Sequence, residues 1–512
     1  MGAAYTPGVA SLVDLDGGSL TADEVEAMVC DPEPTSSRPV IVRNGTLSGR
    51  LDLAHCTLHR PLIVEHVDIP DGIDLTEASL LSLRVSDAEI GDIAARGVRA
   101  KHVLSIEDCR VSRAIDLIEC EIQDALFLSR TTVSNPAGDE NENAINLYGS
   151  RLRAAAYLVE TVIDHGALRL IDSTVDGILD LTGLVVRSCE GTAVFCDRVE
   201  APSLHLRGAT INGRVSITAA DIAGTISLTE ATIDNASDRA LTLDSATCRR
   251  LMFRNANIRG DVSLRSATVG ALVDNRRSWS GVTVVETDGF VYGRFGDPKR
   301  ETELTSESEV DDEIPGDLTP DDRIKILCQR NGEYSSMPYA QLRSVYRSSG
   351  NEAAAIDVAV AGAKDRIDRD RPRRECDDQP ERGGFRQLGK LAAPFGYGYR
   401  PLRAAAFLIG TIVLLAVLVT LWDSALSAKP VDDPGPSPSA ATAEGPDGVE
   451  RIAYATDVVL PIIDLGEADR WQIDSEAPGG SALRVSVWIA IILGWVFSTT
   501  FVIAVQRLFR DP

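Results

Sequence analysis

The residues of this chain that could do chemistry are dispersed rather than clustered. Six histidines (His55, His59, His66, His102, His165 and His205) all lie in its first half. His55 and His59 are four apart, a spacing that pairs metal ligands on a helix but not on a strand. Nine cysteines (Cys30, Cys56, Cys109, Cys120, Cys189, Cys196, Cys248, Cys328 and Cys376) contain no CxxC pair. Neither a thioredoxin-like couple, an iron–sulfur ligand set nor a CxxCH haem attachment is therefore expected. Asp52, Asp74 and Asp116 recur at one phase and read as a solvated carboxylate column. No GxGxxG opens a helix after a strand, and GYGYRP (396–401) has the wrong spacing for a nucleotide loop. No Ser/His/Asp arrangement can be assembled. The sequence thus assigns no catalytic, cofactor or metal-binding residue, and no cofactor is evident.

What positions these residues is a repeat of eleven. From Leu51 to Val269 the unit is apolar-x-apolar-x-x-small-x-apolar plus three variable residues, as in IDLTEASL from Ile73, IDLIECEI from Ile115 and VSLRSATV from Val262. An eleven-residue period also fits a helix in a right-handed supercoil. The alternating β-branched residues, with Gly and Asp at the unit ends, are instead strand and turn chemistry. Such short strands bury an apolar side only by stacking, so the expected fold is a mainly β solenoid. The small residue and the apolar residue two places later form inward ladders. Cys56, Cys109 and Cys120 occupy the small slot and read as core thiols.

The unit resembles the pentapeptide-repeat family, on Ala220-Asp221-Ile222 and Ala256-Asn257-Ile258, and more loosely on Ala78-Ser79-Leu80 and Ala231-Thr232-Ile233. The resemblance implies a right-handed parallel β-helix with two units, about 22 residues, per coil. About nineteen units give nine or ten coils and a rod of roughly 45 Å at ~4.8 Å per coil.

Two candidate surfaces follow. Extra residues interrupt the period at 134–144, 187–192 and 234–240, each after an even-numbered unit. All three are expected to leave one edge, two coils apart, and loops on one face of a solenoid are often its binding face. Asn135, Asp139, Glu140, Glu142, Glu190, Asp234 and Asp238 are the candidate partner-binding residues there. The outward residue of the odd units is polar. That of the even units includes Ile63, Phe127, Tyr157, His205 and Met252, a candidate docking face for a partner or for the chain's own C-terminal segments.

The expected domains are an N-terminal cap segment (1–36), the β-helix (37–276), an acidic linker (277–333), a helical hairpin (334–371), a basic juxtamembrane segment (372–403) and two transmembrane helices (404–422 and 485–505). An extracytoplasmic loop (423–484) and a short tail complete the chain. Both apolar runs are free of charge and long enough to span a bilayer. Basic residues flank them on one side, Arg400 and Arg403 before the first and Arg507 after the second, while the loop holds four basic and twelve acidic residues. This asymmetry predicts a two-pass plasma-membrane protein with both termini cytoplasmic. All nine cysteines precede the first span, which suits free thiols in a reducing compartment. Within the loop, 452–471 (IAYATDVVLPIIDLGEADRW) reads as an interfacial or re-entrant segment carrying Asp457 and Asp464, with Trp471 as an anchor.

The order of the β-helical repeat, PYAQLRSVYRSSGNEAAA, GYGYRPLRAAAFL, TDVVLPIIDLG and IILGWVFSTTFVIA is similar to a group of actinobacterial pentapeptide-repeat-like membrane proteins commonly called "membrane-associated oxidoreductase". The resemblance spans roughly residues 40–512 and implies redox activity by name, without residues to carry it. The net charge of -25 argues against nucleic acid as a partner. The expected function is a membrane-anchored scaffold whose partners are the lipid bilayer and an unidentified protein, with homo-oligomerisation left open. An oxidoreductase and a two-span pore-like module are the alternatives.

Overall fold

The alternation of apolar and polar residues resolves into four short strands per coil. In one coil these are Arg110–Val111, Ile115–Asp116, Glu121–Ile122 and Leu126–Phe127. Each pairs in parallel with its counterpart in the next coil: Thr132–Val133, Asn143–Asn146, Arg151–Leu152 and Ala156–Tyr157. The structure is a computed structural model. It describes residues 11–30, 38–135, 143–187, 191–296, 318–329, 334–369, 401–428, 447–460 and 463–510. It divides into two units, Met1–Glu352 and Ala353–Pro512.

The first unit is a parallel β-solenoid of about eleven turns near 22 residues per turn. Its core is a set of inward rows. One row runs Leu51, Ile73, Ile93, Ile115, Ile145, Leu168, Val194, Val215, Leu241, Val262 and Val285, all essentially inaccessible to solvent. Burying each of these side chains contributes about 1.5–3 kcal/mol. The small slot of the unit forms a second kind of row. Where it is polar, the hydroxyl bonds back to a carbonyl of the preceding coil: Thr131 to Ile106 at 2.9 Å, Ser150 to Leu117 at 2.7 Å and Thr161 to Leu128 at 2.9 Å. No buried donor is orphaned at these three positions.

The chain turns a corner through residues with positive φ. Glu77, Glu119, Asp172, Arg198, Ala219 and Ser245 form one such column, with φ between 53° and 59°. Non-glycine residues pay strain there, and the stacked coil imposes it because each corner N–H must meet the next coil's carbonyl. Ala219 N–H, for example, donates to Asp244 O at 2.8 Å.

The ladders run past both ends of the repeat read from sequence. Ser11–Asp14 and Ser19–Thr21 pair with Val40–Ser48, and Val282–Glu286 and Val291–Phe295 add strands after residue 276. The extra strands raise the count above nine or ten coils. The two C-terminal strands escaped the pattern because Ser278 and Trp279 lie in a short helical turn that breaks the eleven-residue phase.

Both ends of the solenoid are covered. Helix α1 (Ala22–Val29) opens with a Thr21/Glu24 capping box, buries Val25 and Val29, and accepts His59 N–H at Val29 O, 3.1 Å. At the other end Thr319 and Asp322 cap α2 (Pro320–Ile324), which continues into a wider turn at Lys325–Gln329. These residues belong to the expected acidic linker, yet Ile324, Ile326, Leu327 and Cys328 are buried and Thr287 Oγ1 donates to Leu327 O at 2.8 Å. The acidic first turn of α2, Asp321 and Asp322, continues the charge run by composition, while the buried apolar residues come directly after it. Helix α3 (Met337–Ser348) packs on the last strand, where Gln341 Nε2 donates to Tyr292 O at 2.7 Å. Gly350, at φ 76°, ends it, and α4 (Glu352–Arg369) follows.

The second unit contains two helices long and apolar enough to cross a membrane, α5 (Pro401–Leu421) and α8 (Gly480–Arg510). Between them lie α6 (Gly448–Val459), whose N-cap Asp447 accepts the N–H groups of Val449 and Glu450, and the single turn α7 (Glu467–Arg470). Leu426–Ala428 and Trp471–Ile473 join as an antiparallel pair beyond the end of α5.

Candidate functional site

The three period-breaking insertions share one corner. The first lies between Thr132–Val133 and Asn143–Asn146, the second between Val185–Val186 and Thr192–Phe195, the third inside Thr232–Thr242. Val133, Ile163, Val186, Ile211 and Ile233 are successive members of one ladder, so the insertions recur every second coil. Asp139, Glu140, Glu142 and Glu190 lie outside the described residues. Asn135 is buried at the start of the first insertion. Asp234 pairs with Arg259 at 3.4 Å, and Asp238 is exposed at the loop tip. Asn235 Nδ2 closes that loop on Arg239 O at 2.8 Å. Gly260, at φ 123°, lies beneath it. A side chain there would meet Asn235 O at 2.4 Å and Asp238 O at 2.6 Å, so only glycine admits this loop.

The five residues of the candidate docking face fall in one outward register row. The row runs Ile63, Arg84, Ser105, Phe127, Tyr157, Asp180, His205, Ser227 and Met252. Polar residues interrupt it, and the continuous apolar feature is the stacked pair Phe127–Tyr157, with ring centroids 5.1 Å apart. Burial, then Arg207, holds His205 below its usual pKa, so its ring is neutral at pH 7.

The odd row begins Asp52, Asp74, Ala94, Asp116, Asn146 and Arg169. Asp52 and Asp74 adjoin, while Ala94 separates them from Asp116. Arg96 lies 3.9 Å from the Asp116 carboxylate, but burial dominates and raises its pKa. Elsewhere, charges one or two coils apart interlock. Asp92 sits between Arg50, at 2.8 Å, and Arg113. Arg130 reaches Asp108 at 2.7 Å and holds that carboxyl below its usual range.

The thiols of the small slot are core at two positions and half-buried at one. Cys109 and Cys120 are buried, whereas Cys56 is partly accessible beside Cys30 of the N-terminal cap. Burial pushes Cys109 up to about 12 and Cys120 up to about 11.

In the second unit Arg400 lies outside the described residues, Arg403 is exposed in the first turn of α5, and Arg507 falls near the end of α8. Asp457 accepts the N–H groups of Leu465 and Ala468, both at 2.8 Å, and Asp464 accepts that of Gly466 at 2.9 Å. Trp471 Nε1 donates to Glu467 at 3.4 Å.

One cluster had no signal in the sequence. Asp274, at the end of the solenoid, accepts from Trp279 Nε1 at 2.7 Å and from Arg323 at 2.5 Å, and the guanidinium lies 3.9 Å from the Phe295 ring centre. Tyr292 packs among the same groups, and burial raises its phenol well above the usual range. The pair joins residues 49 apart, with no shared motif. Among the described residues no group of three or more His, Cys, Asp or Glu is arranged to hold a metal ion. No family model and no curated protein matches the chain.

Proposed function

We propose that the chain is a membrane-anchored β-solenoid scaffold that presents one corner to a protein partner. The observation that carries this reading is the recurrence of three insertions at the same corner, every second coil. Random loop growth would spread over all four corners, whereas a shared corner places the loops along one line of the rod. In this reading the coils wind right-handed, as the likeness to pentapeptide repeats implies. Helices α3 and α4 form a hairpin, and α5 and α8 cross the plasma membrane with both termini cytoplasmic. The Phe127–Tyr157 platform is a second contact point, since stacked aromatics beside Asp180 suit a mixed apolar and polar surface.

The test is to shorten the insertions at 136–142, 188–190 and 235–238 together in the full chain and to compare photo-crosslinked partners in native membranes. Loss of the partner bands with an unchanged β spectrum supports the corner; unchanged capture removes it. The oxidoreductase alternative has its own check. An absorption spectrum from 300 to 700 nm of protein purified from native membranes is expected to lack flavin, haem and iron–sulfur bands. Stoichiometric bands would replace the scaffold reading by a redox one.

A further inference from the structure

The segment between the two long apolar helices enters the space between them and comes back. Its entry is fixed by Arg451, which binds Asp423, just past the end of α5, at 3.0 Å. From there α6 buries Tyr454, Ala455 and Val459 against Leu415 and Val419 of α5 and against Leu483, Val487 and Ala490 of α8. Its last residue reaches Gly494, where a side-chain carbon would stand 1.9 Å from Val459 O, so glycine is required for the contact. Gly494 is fourteen residues into α8, about 21 Å along it at ~1.5 Å per residue. It is also close to the centre of the apolar run 485–505. The chain then leaves helical structure at Leu460. Asp457 ties down Leu465 and Ala468, and Trp471–Ile473 pairs again beside the end of α5.

This path has a consequence if α5 and α8 cross a bilayer, and the inference rests on that reading. The returning backbone from Ile463 to Gly466, with the carboxylate of Asp464, is exposed in the single chain. Hydrocarbon does not accept irregular backbone or a carboxylate; such a segment is tolerated only when protein covers it or it lines a watery cavity. Helices α5, α6 and α8 leave it exposed, and among the described residues the chain offers no third long apolar helix. A second copy supplies the missing wall with the same elements, and rotational symmetry brings every copy's turn to one axis.

We infer that the membrane unit assembles with further copies of this chain, and that the exposed segment Ile463–Gly466 faces the axis of that assembly. The C-terminal ends of α6 converge there. The Asp464 carboxylates, one per copy, keep the axis wet, because like charges do not pack together in a dry interface.

The test uses the full chain in nanodiscs, together with Asp464→Cys and Val449→Cys. All native cysteines lie before residue 377, so each new thiol is the only one beyond the first apolar helix. The expected result has three parts. Light scattering gives two or more chains per disc for the unmodified protein. Asp464→Cys crosslinks copy to copy on oxidation, and Val449→Cys, 76% exposed at the start of α6, does not. A membrane-impermeant maleimide reacts at least ten times more slowly with Asp464→Cys than with Val449→Cys. One chain per disc, a crosslink from position 464 to a different protein, or equal maleimide rates would each overturn the inference. Failure of the membrane reading is separate: release of the unmodified chain from native membranes by alkaline carbonate would remove the spans themselves.

Discussion

Replacing Arg323 by Leu tests whether the cap at the end of the solenoid is held by one buried charge pair. The side chain of Asp274 is fully inaccessible and that of Arg323 is 7% exposed, at 2.5 Å from each other. Removing one partner of such a pair leaves a buried charge without compensation and costs about 3–5 kcal/mol. Leucine also loses the guanidinium contact with the Phe295 ring, which lies within that range rather than adding to it. Trp279 Nε1 still donates to Asp274, so the carboxylate keeps one of its bonds. In a solenoid each coil is supported by its neighbours, so the loss is expected at the end and not throughout. Hydrogen exchange on the full chain should then accelerate by about two to four orders of magnitude across Val282–Phe295. Amides at Ile93–Val133, several coils away, should stay within about threefold of the parent, as expected for independent sites. The double change Asp274→Asn with Arg323→Leu removes the orphaned charge and keeps an acceptor for Trp279. It is expected to recover at least half of the protection. Exchange that rises equally along the whole solenoid, or a double variant worse than the single, would refute this account of the cap.

Ala219→Gly relieves a left-handed residue whose side chain is exposed. A strain of about 1–2 kcal/mol set against about 0.5–1 kcal/mol of added chain entropy predicts a net gain of up to about 1.5 kcal/mol in urea denaturation, and no net loss. Asp116→Asn should raise the unfolding midpoint at pH 7. Because burial raises the folded pKa of Asp116 above 3.8, the charged form is penalised above that folded pKa and the penalty vanishes below 3.8; the advantage of asparagine should close by about pH 3. Asp92 has the opposite sign. Arg50 and Arg113 outweigh its desolvation and lower its pKa, so Asp92→Asn should destabilise at neutral pH, with a deficit that shrinks as pH falls through the depressed value. Cys109, Cys120 and Cys248, pushed up to about 12, 11 and 12 by burial, should alkylate with iodoacetamide at pH 8 more than about 100-fold slower than a free thiol, as read by peptide mass spectrometry.

The solenoid was legible because its signal is redundant. Ile73, Ile115, Leu241 and Val262 each sit two residues before another apolar position, and each buried row repeats that choice about eleven times. A few degenerate units, such as the one in which Arg84 takes an outward slot, do not erase the period. The corner insertions were legible for the same reason, since an insertion is visible only against a regular period. The ends of the rod obey different physics. Asp274 and Arg323 depend on one long-range contact that is made once, and a contact made once leaves no pattern. The acidic caps Asp321 and Asp322 look like the preceding charge run, although they start a buried turn.

The second unit shows the same contrast on a smaller scale. Two long apolar runs identify α5 and α8 by composition alone. Helix α6 does not reveal itself that way, because its buried face is only Tyr454, Ala455 and Val459 and its partners are distributed over both neighbours. The residue that fixes its depth is Gly494, one glycine in a long apolar helix, where a glycine by itself carries little information. Its meaning comes from the Val459 carbonyl it faces. A variant that adds a single methyl there, Gly494→Ala, must push α6 away from α8 or bend the helix, since backbone and not a flexible side chain lies 1.9 Å from the new carbon. The same methyl at Gly410 of α5 has nothing within 4 Å and should be silent. The pair of substitutions therefore separates the packing of the returning segment from the general cost of changing glycine in an apolar helix. Thermal unfolding in detergent reads the difference. Equal effects at 410 and 494 would mean that α6 does not reach the middle of α8.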